Sequence, residues 1–161
     1  MNETSIEPQP LTPEQLATMT RVGEACIARD GSAVAFVVDQ ASKGGEHEQS
    51  AIWLVPFDAA SEAGARQFTT GIANDRAPRW SPDSQRIAFL SDRAERGKSS
   101  VYVMRAGGGE GVGVFDQQGE MSGLGWSPDG RFLAALFTEP ETEDEKKRKE
   151  ERDDRVLWDQ E

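Results

Sequence analysis

Trp80-Ser81-Pro82-Asp83-Ser84-Gln85-Arg86-Ile87-Ala88-Phe89-Leu90 returns 46 residues later as Trp126-Ser127-Pro128-Asp129-Gly130-Arg131-Phe132-Leu133-Ala134-Ala135-Leu136. One structural unit is being reused. A period of this size, with aromatic, turn and apolar segments in fixed order, matches the four-stranded blade of a β-propeller. A weaker copy lies upstream, where Arg29-Asp30-Gly31-Ser32 replaces Pro-Asp-Ser-Gln and Ala33-Val34-Ala35-Phe36-Val37-Val38 is the strand that follows. Second apolar runs come next at Ala51–Val55 and Val101–Met104, then closing strands near Arg66–Thr69 and Gly113–Phe115.

Each copy couples a turn to a strand. Pro82 and Pro128 set φ early in the turn, the Asp that follows supplies a short polar side chain, and Gly130 tolerates positive φ. Ile87–Leu90 and Phe132–Leu136 are apolar on both faces, as expected of strands sandwiched between neighbouring sheets. The Trp before each turn is expected to be a largely buried wedge. Turn chemistry and apolar patterning agree best over residues 77–137, the stretch expected to be best ordered.

The expected fold is therefore all-β. It is a partial β-propeller of about two to three four-stranded blades, with a short N-terminal helix and a charged, helical excursion over residues 139–155. Seven blades at this period need roughly 320 residues, and the chain has 161. Residues 1–11 read as a disordered tail with no basic or apolar leader, and residues 12–161 as the propeller part, incomplete at the C-terminus. Thr12-Pro13-Glu14-Gln15 has the form of a helix start, with the helix running to about Met19. Residues 139–155 hold nine acidic and six basic side chains, with Glu143/Lys147, Asp144/Arg148 and Glu145/Lys149 at helical i, i+4 spacing. Arg155-Val156-Leu157-Trp158 reads as a further strand beginning.

The formal charge of −11 is spread along the chain, and Lys146–Lys149 is flanked by carboxylates. Nucleic acid and anionic membrane surfaces are excluded as partners, because both need clustered positive charge. The single Cys26 fits a reducing compartment and reads as a small buried hydrophobe; the expected location is the cytoplasm.

No catalytic set can be assembled. Gly-x-Ser-x-Gly is absent. Ser81 and Ser127 sit between Trp and Pro, where capping a turn is the expected role, and the only histidine, His47, falls in a polar loop and reads as exposed. Asp83 and Asp129 recur at equivalent positions, which separates rather than pairs them. Gly107–Gly113 has neither dinucleotide nor phosphate-loop spacing and reads as a hairpin connection. The carboxylates at 139–145 lack the pattern of a calcium loop. No cofactor, metal or catalytic residue is expected in this chain.

Residues 77–93, followed by Ser100-Val101-Tyr102-Val103-Met104, resemble the TolB-like propeller repeat. That repeat is shared by periplasmic TolB proteins and the propellers of prolyl oligopeptidase-family serine peptidases. The opening Leu11-Thr12-Pro13-Glu14-Gln15-Leu16 with Arg21-Val22-Gly23, and the run Glu143–Lys149 after a Trp-Ser-Pro-Asp-Gly strand, resemble the acylaminoacyl-peptidase branch. The resemblance covers residues 11–161 and implies a parent in which the propeller caps an α/β-hydrolase domain and admits peptides rather than folded proteins. The triad of that hydrolase domain has no counterpart here. Peptide substrates would act through the missing domain, and the open blade edges are expected to favour self-association. The alternative is a TolB-like scaffold that binds a protein partner and does no chemistry.

Overall fold

The computed structural model describes residue 12 and residues 19–40, 47–57, 64–115, 117, 119–139 and 143–153. The expected helix after Thr12 and the expected strand at 155–158 lie mainly or wholly outside the described residues.

Two four-stranded antiparallel sheets and one two-stranded sheet follow one another in chain order. The first contains β1 (Thr20–Ile27), β2 (Ala33–Gln40), β3 (Ser50–Pro56) and β4 (Arg66–Gln67), each paired with its sequence neighbour. The second repeats the order with β5 (Arg76–Trp80), β6 (Arg86–Glu95), β7 (Lys98–Arg105) and β8 (Val112–Gly113). The third has β9 (Glu120–Trp126) and β10 (Leu133–Thr138), after which the charged run forms helix α1 (Glu143–Asp153). These are the two blades and the start of a third that the repeat predicts.

The repeated turn works through the residues that repeat. Ser81 N–H donates to Arg86 O at 2.8 Å, Arg86 N–H returns a bond to Ser81 Oγ at 2.9 Å, and Gln85 N–H donates to Asp83 Oδ1 at 3.1 Å. The same three bonds recur in the next copy as Ser127 to Phe132 O, Phe132 to Ser127 Oγ and Arg131 to Asp129 Oδ1, at 2.9, 2.9 and 3.1 Å. The Asp side chain thus replaces a backbone acceptor and closes the turn. The left-handed position is filled by Gly31 (φ 73°), Ser84 (φ 56°) and Gly130 (φ 70°), so the middle copy carries there a conformation that glycine adopts more readily.

A second repeated device is visible only in the backbone. Three residues before Ile27, Trp80 and Trp126 stand Glu24 (φ 50°), Ala77 (φ 53°) and Gly123 (φ 60°), each within a register shift of the first strand of its sheet. The Glu24 carboxylate accepts a hydrogen bond from Ala77 N–H and so joins one bulge to the next. Bulges of this kind bend and twist a strand, here the innermost strand of every sheet.

Packing follows the two-faced apolar pattern. Ile87 and Phe89 of β6 pack toward the first sheet with Ala35, Val37, Ile52, Leu54 and Phe68, while Ala88 and Leu90 pack toward the third with Met121 and Leu124. Ile87 to Leu90 are all fully buried. Trp80 and Trp126 occupy equivalent places, but both are half-buried rather than largely buried, and their indole N–H groups reach the neighbouring sheet's backbone. Trp80 Nε1 donates to Cys26 O at 3.2 Å and Trp126 Nε1 to Arg79 O at 3.0 Å. Cys26 and Arg79 each immediately precede the residue at the Trp position of their own sheet, so this inter-blade bond is itself part of the repeat.

Candidate functional site between the first two blades

The residues considered for chemistry divide between the two ends of the blades. The turns β1–β2, β5–β6 and β9–β10 lie at one end, and the β2–β3 and β6–β7 connections at the other. Ser81 and Ser127 are therefore at the opposite end from His47. Ser81 is buried and its hydroxyl is engaged by Asp83, Arg86 N–H and Arg86 O. Neither serine faces a base. Asp83 and Asp129 are held below the usual carboxylate range, first by their serine hydroxyls and then by the amides of Gln85 and Arg131. Both act as turn acceptors, as expected of equivalent repeat positions.

Cys26 is half-buried, with Sγ 3.1 Å from Pro78 O. Burial pushes its thiol pKa up, against smaller opposing effects of Trp80 and Arg79, so the thiolate a nucleophile needs is disfavoured. Among the described residues no group of three or more His, Cys, Asp or Glu side chains is placed to hold a metal.

His47 is the departure from the sequence reading. It is not a free loop residue: its side chain is 25% exposed and Nε2 lies 2.7 Å from Asp92 Oδ2. Asp92, in the second half of β6, is buried and accepts Asn74 N–H at 2.8 Å and Gly97 N–H at 2.9 Å. Desolvation raises its pKa, but the Gly97 and Asn74 amides and His47 together outweigh it and leave the carboxyl below its ordinary value. One carboxylate thereby ties the first blade, the inter-blade connection and the β6–β7 hairpin.

An ion pair lies alongside in sequence. Arg93 Nη2 meets the fully buried Asp75 at 3.0 Å, and the guanidinium stacks 5.0 Å from the Phe89 ring centroid and 4.7 Å from that of Tyr102. Asp75 Oδ2 has no partner among the described residues. Ser50 Oγ completes the junction by donating to Asp75 O at 2.7 Å. The signal in the sequence was Ser91-Asp92-Arg93, which lies within β6 after its apolar run and has no charged equivalent pair in the other copies.

Beside this junction a groove of about 1040 Å³ opens along Met19 and Thr20–Glu24 of β1, with Asp39, Glu48 and Arg76 contributing charge. Arg21 is bonded to Asp39, and Arg76 reaches across to Met121 O at 3.1 Å. The arrangement presents a polar cleft lined by the Arg21–Asp39 ion pair, and among the described residues that line it no nucleophile is paired with a base.

No known protein-family profile matches the chain. The uncharacterized peptidase YuxL of Bacillus subtilis is 29% identical over 143 residues, covering 88% of this chain and 21% of the relative. Dipeptidyl-peptidase 5 of Porphyromonas gingivalis is 32% identical over 128 residues, covering 80% of this chain and 18% of the relative. The chain spans about a fifth of the length of these curated relatives. Among solved structures, the β-propeller domain of the Trilobed protease from Pyrococcus furiosus superposes with a TM-score of 0.56 at 21% identity, over 73% of this chain and 34% of that one. The AtxE2 isopeptidase in its apo form gives the same TM-score, 0.56, at 21% identity over 76% of this chain and 23% of that one. The chain is thus a partial β-propeller that is similar over most of its length to about a fifth of each of two peptidases, and whose fold is similar to the propeller domain of a protease.

Proposed function

We propose that the chain is the N-terminal part of the substrate-gating propeller of a cytoplasmic serine peptidase of the prolyl oligopeptidase family, in its acylaminoacyl-peptidase-like branch. Peptide hydrolysis belongs to the parent and its hydrolase domain. The single observation that carries this reading is the alignment of peptidases over most of the chain, on residues that build a propeller and leave no catalytic pair. Among the described residues no helix is long and apolar enough to cross a membrane. The inter-blade junction and the groove beside it are suited to holding blades at fixed spacing around a passage, which is what a gate requires.

Two observations test it. The purified chain is expected to show no turnover of acylated or free peptides; turnover abolished by a serine-directed inhibitor would contradict the division of labour. The reading frame downstream of Glu161 is expected to contain Gly-x-Ser-x-Gly, and a downstream frame without it favours the non-catalytic scaffold.

A further inference from the structure

At the turn end of the second blade, away from the His47–Asp92 junction, two arginines face each other. Arg86 of β6 and Arg105 of β7 are direct cross-strand partners. Residues so paired share one face of the sheet with Cβ atoms about 5 Å apart, and like charges there repel. This face is the one that packs toward the third blade, since Ala88 and Val103 further along the same row contact Met121, Leu124 and their neighbours. The corresponding pair in the first blade is Ala33 opposite Pro56, so the charge pair is no part of the repeat.

Compensation is incomplete. Arg86 is held in place by stacking on the Trp126 indole, 5.1 Å from its centroid, and its Nη2 lies 3.8 Å from Asp83 Oδ2. The other oxygen of Asp83 is already committed to Ser81 and Gln85. Arg105 is exposed, and its guanidinium has no ion pair, hydrogen bond or ring contact among the described residues. In a chain of formal charge −11, two arginines paired across the ladder, with one carboxylate 3.8 Å from Arg86 and none paired with Arg105 among the described residues, are a local positive site.

We propose that Arg86 and Arg105 form a two-pronged binding site for a single oxyanion, a carboxylate or a phosphate. Guanidinium forks match the geometry of such groups, and an anion between them converts cross-strand repulsion into two charge-assisted hydrogen-bonded contacts. Arg86 is the pre-positioned prong, stacked on Trp126, and Arg105 is the exposed one. This inference stands independently of the peptidase reading.

The test is thermal unfolding of the full chain in sodium glutarate, sodium phosphate and sodium chloride at matched ionic strength and pH, for the parent and for Arg105→Gln and Arg105→Lys. The parent midpoint is expected to rise more in glutarate, in phosphate or in both than in chloride, saturating with the anion. Arg105→Gln should lose that excess while its midpoint in chloride stays unchanged or rises, because repulsion is relieved. Arg105→Lys, which keeps the charge and loses the fork, should bind several-fold more weakly. A response to glutarate alone assigns a carboxylate ligand, and to phosphate alone a phosphate. An equal excess in parent and Arg105→Gln, no excess in the parent, or a lowered Arg105→Gln midpoint in chloride overturns the site.

Discussion

The interface between the first two blades and that between the second and third are built on the same repeat and closed differently. Both have an indole hydrogen bond to the preceding blade and small and large apolar residues interleaved from β6. The first has four strands on each side, and Phe68 at its outer edge is buried. In the second, Val114 makes the backbone bond equivalent to that of Phe68 yet is 47% exposed, and Phe132 and Leu136 of the third blade are also exposed. The two described strands of that blade cover only the inner half of its neighbour. Among the described residues, moreover, only the first interface sets buried carboxylates against cationic or imidazole side chains, in Asp75–Arg93 and Asp92–His47. The repeat therefore sets blade spacing, while outer coverage and polar ties grade the strength.

The largest expected effect is in the fully buried first interface. Phe89→Ala should destabilise the chain by about 3–5 kcal/mol, whereas Leu133→Ala, at a half-buried site of the second interface, should cost about 1–2 kcal/mol. Urea unfolding of both variants measures the ratio, and equal costs would erase the distinction.

Asp92→Asn comes next, with a loss of about 2–3 kcal/mol at neutral pH from a buried carboxylate bonded to two amides and His47. Its folded pKa is depressed, so its contribution is present above the unfolded value near 4 and disappears as pH falls through the folded value. Wild-type stability should thus fall more steeply than that of Asp92→Asn between pH 5 and the acid limit of titration. Parallel pH curves would show that the carboxylate is not ionised in the clamp.

Trp80→Phe and Trp126→Phe keep most of the ring and remove one indole bond each, for an expected cost of about 1–2 kcal/mol apiece. Similar values would identify this bond as the element common to both interfaces. The smallest effect should be at the bulge: Gly123→Ala is expected to cost about 1 kcal/mol, since φ is 60° and the added Cβ would sit 3.0 Å from Leu136 Cδ1. A neutral result would mean that the bulge relaxes freely.

These features differed in how readily the sequence disclosed them. The turns were legible because Ser, Pro, Asp and Gly each make a local bond or set a local dihedral, and the sandwiched β6 was legible because Ile87–Leu90 lack any polar alternation. The bulges were hidden: Glu24 and Ala77 are not residues that announce a positive φ, and only Gly123 hinted at one. His47 was misread as exposed because its partner is 45 residues away across a blade boundary, and nothing local to a polar loop reports such a contact. The expectation that 77–137 is the best-ordered stretch also shifts, since β2 and β3 supply much of the buried core and β10 is largely exposed.

Hydrogen–deuterium exchange of the backbone amides tests the graded propeller most directly. The account predicts strongest protection in β2, β3, β6 and β7, weaker protection in β9 and β10, and least in α1, whose described side chains are all exposed. Protection of β9 and β10 equal to or above that of β6 and β7, or protection concentrated in α1, would contradict it.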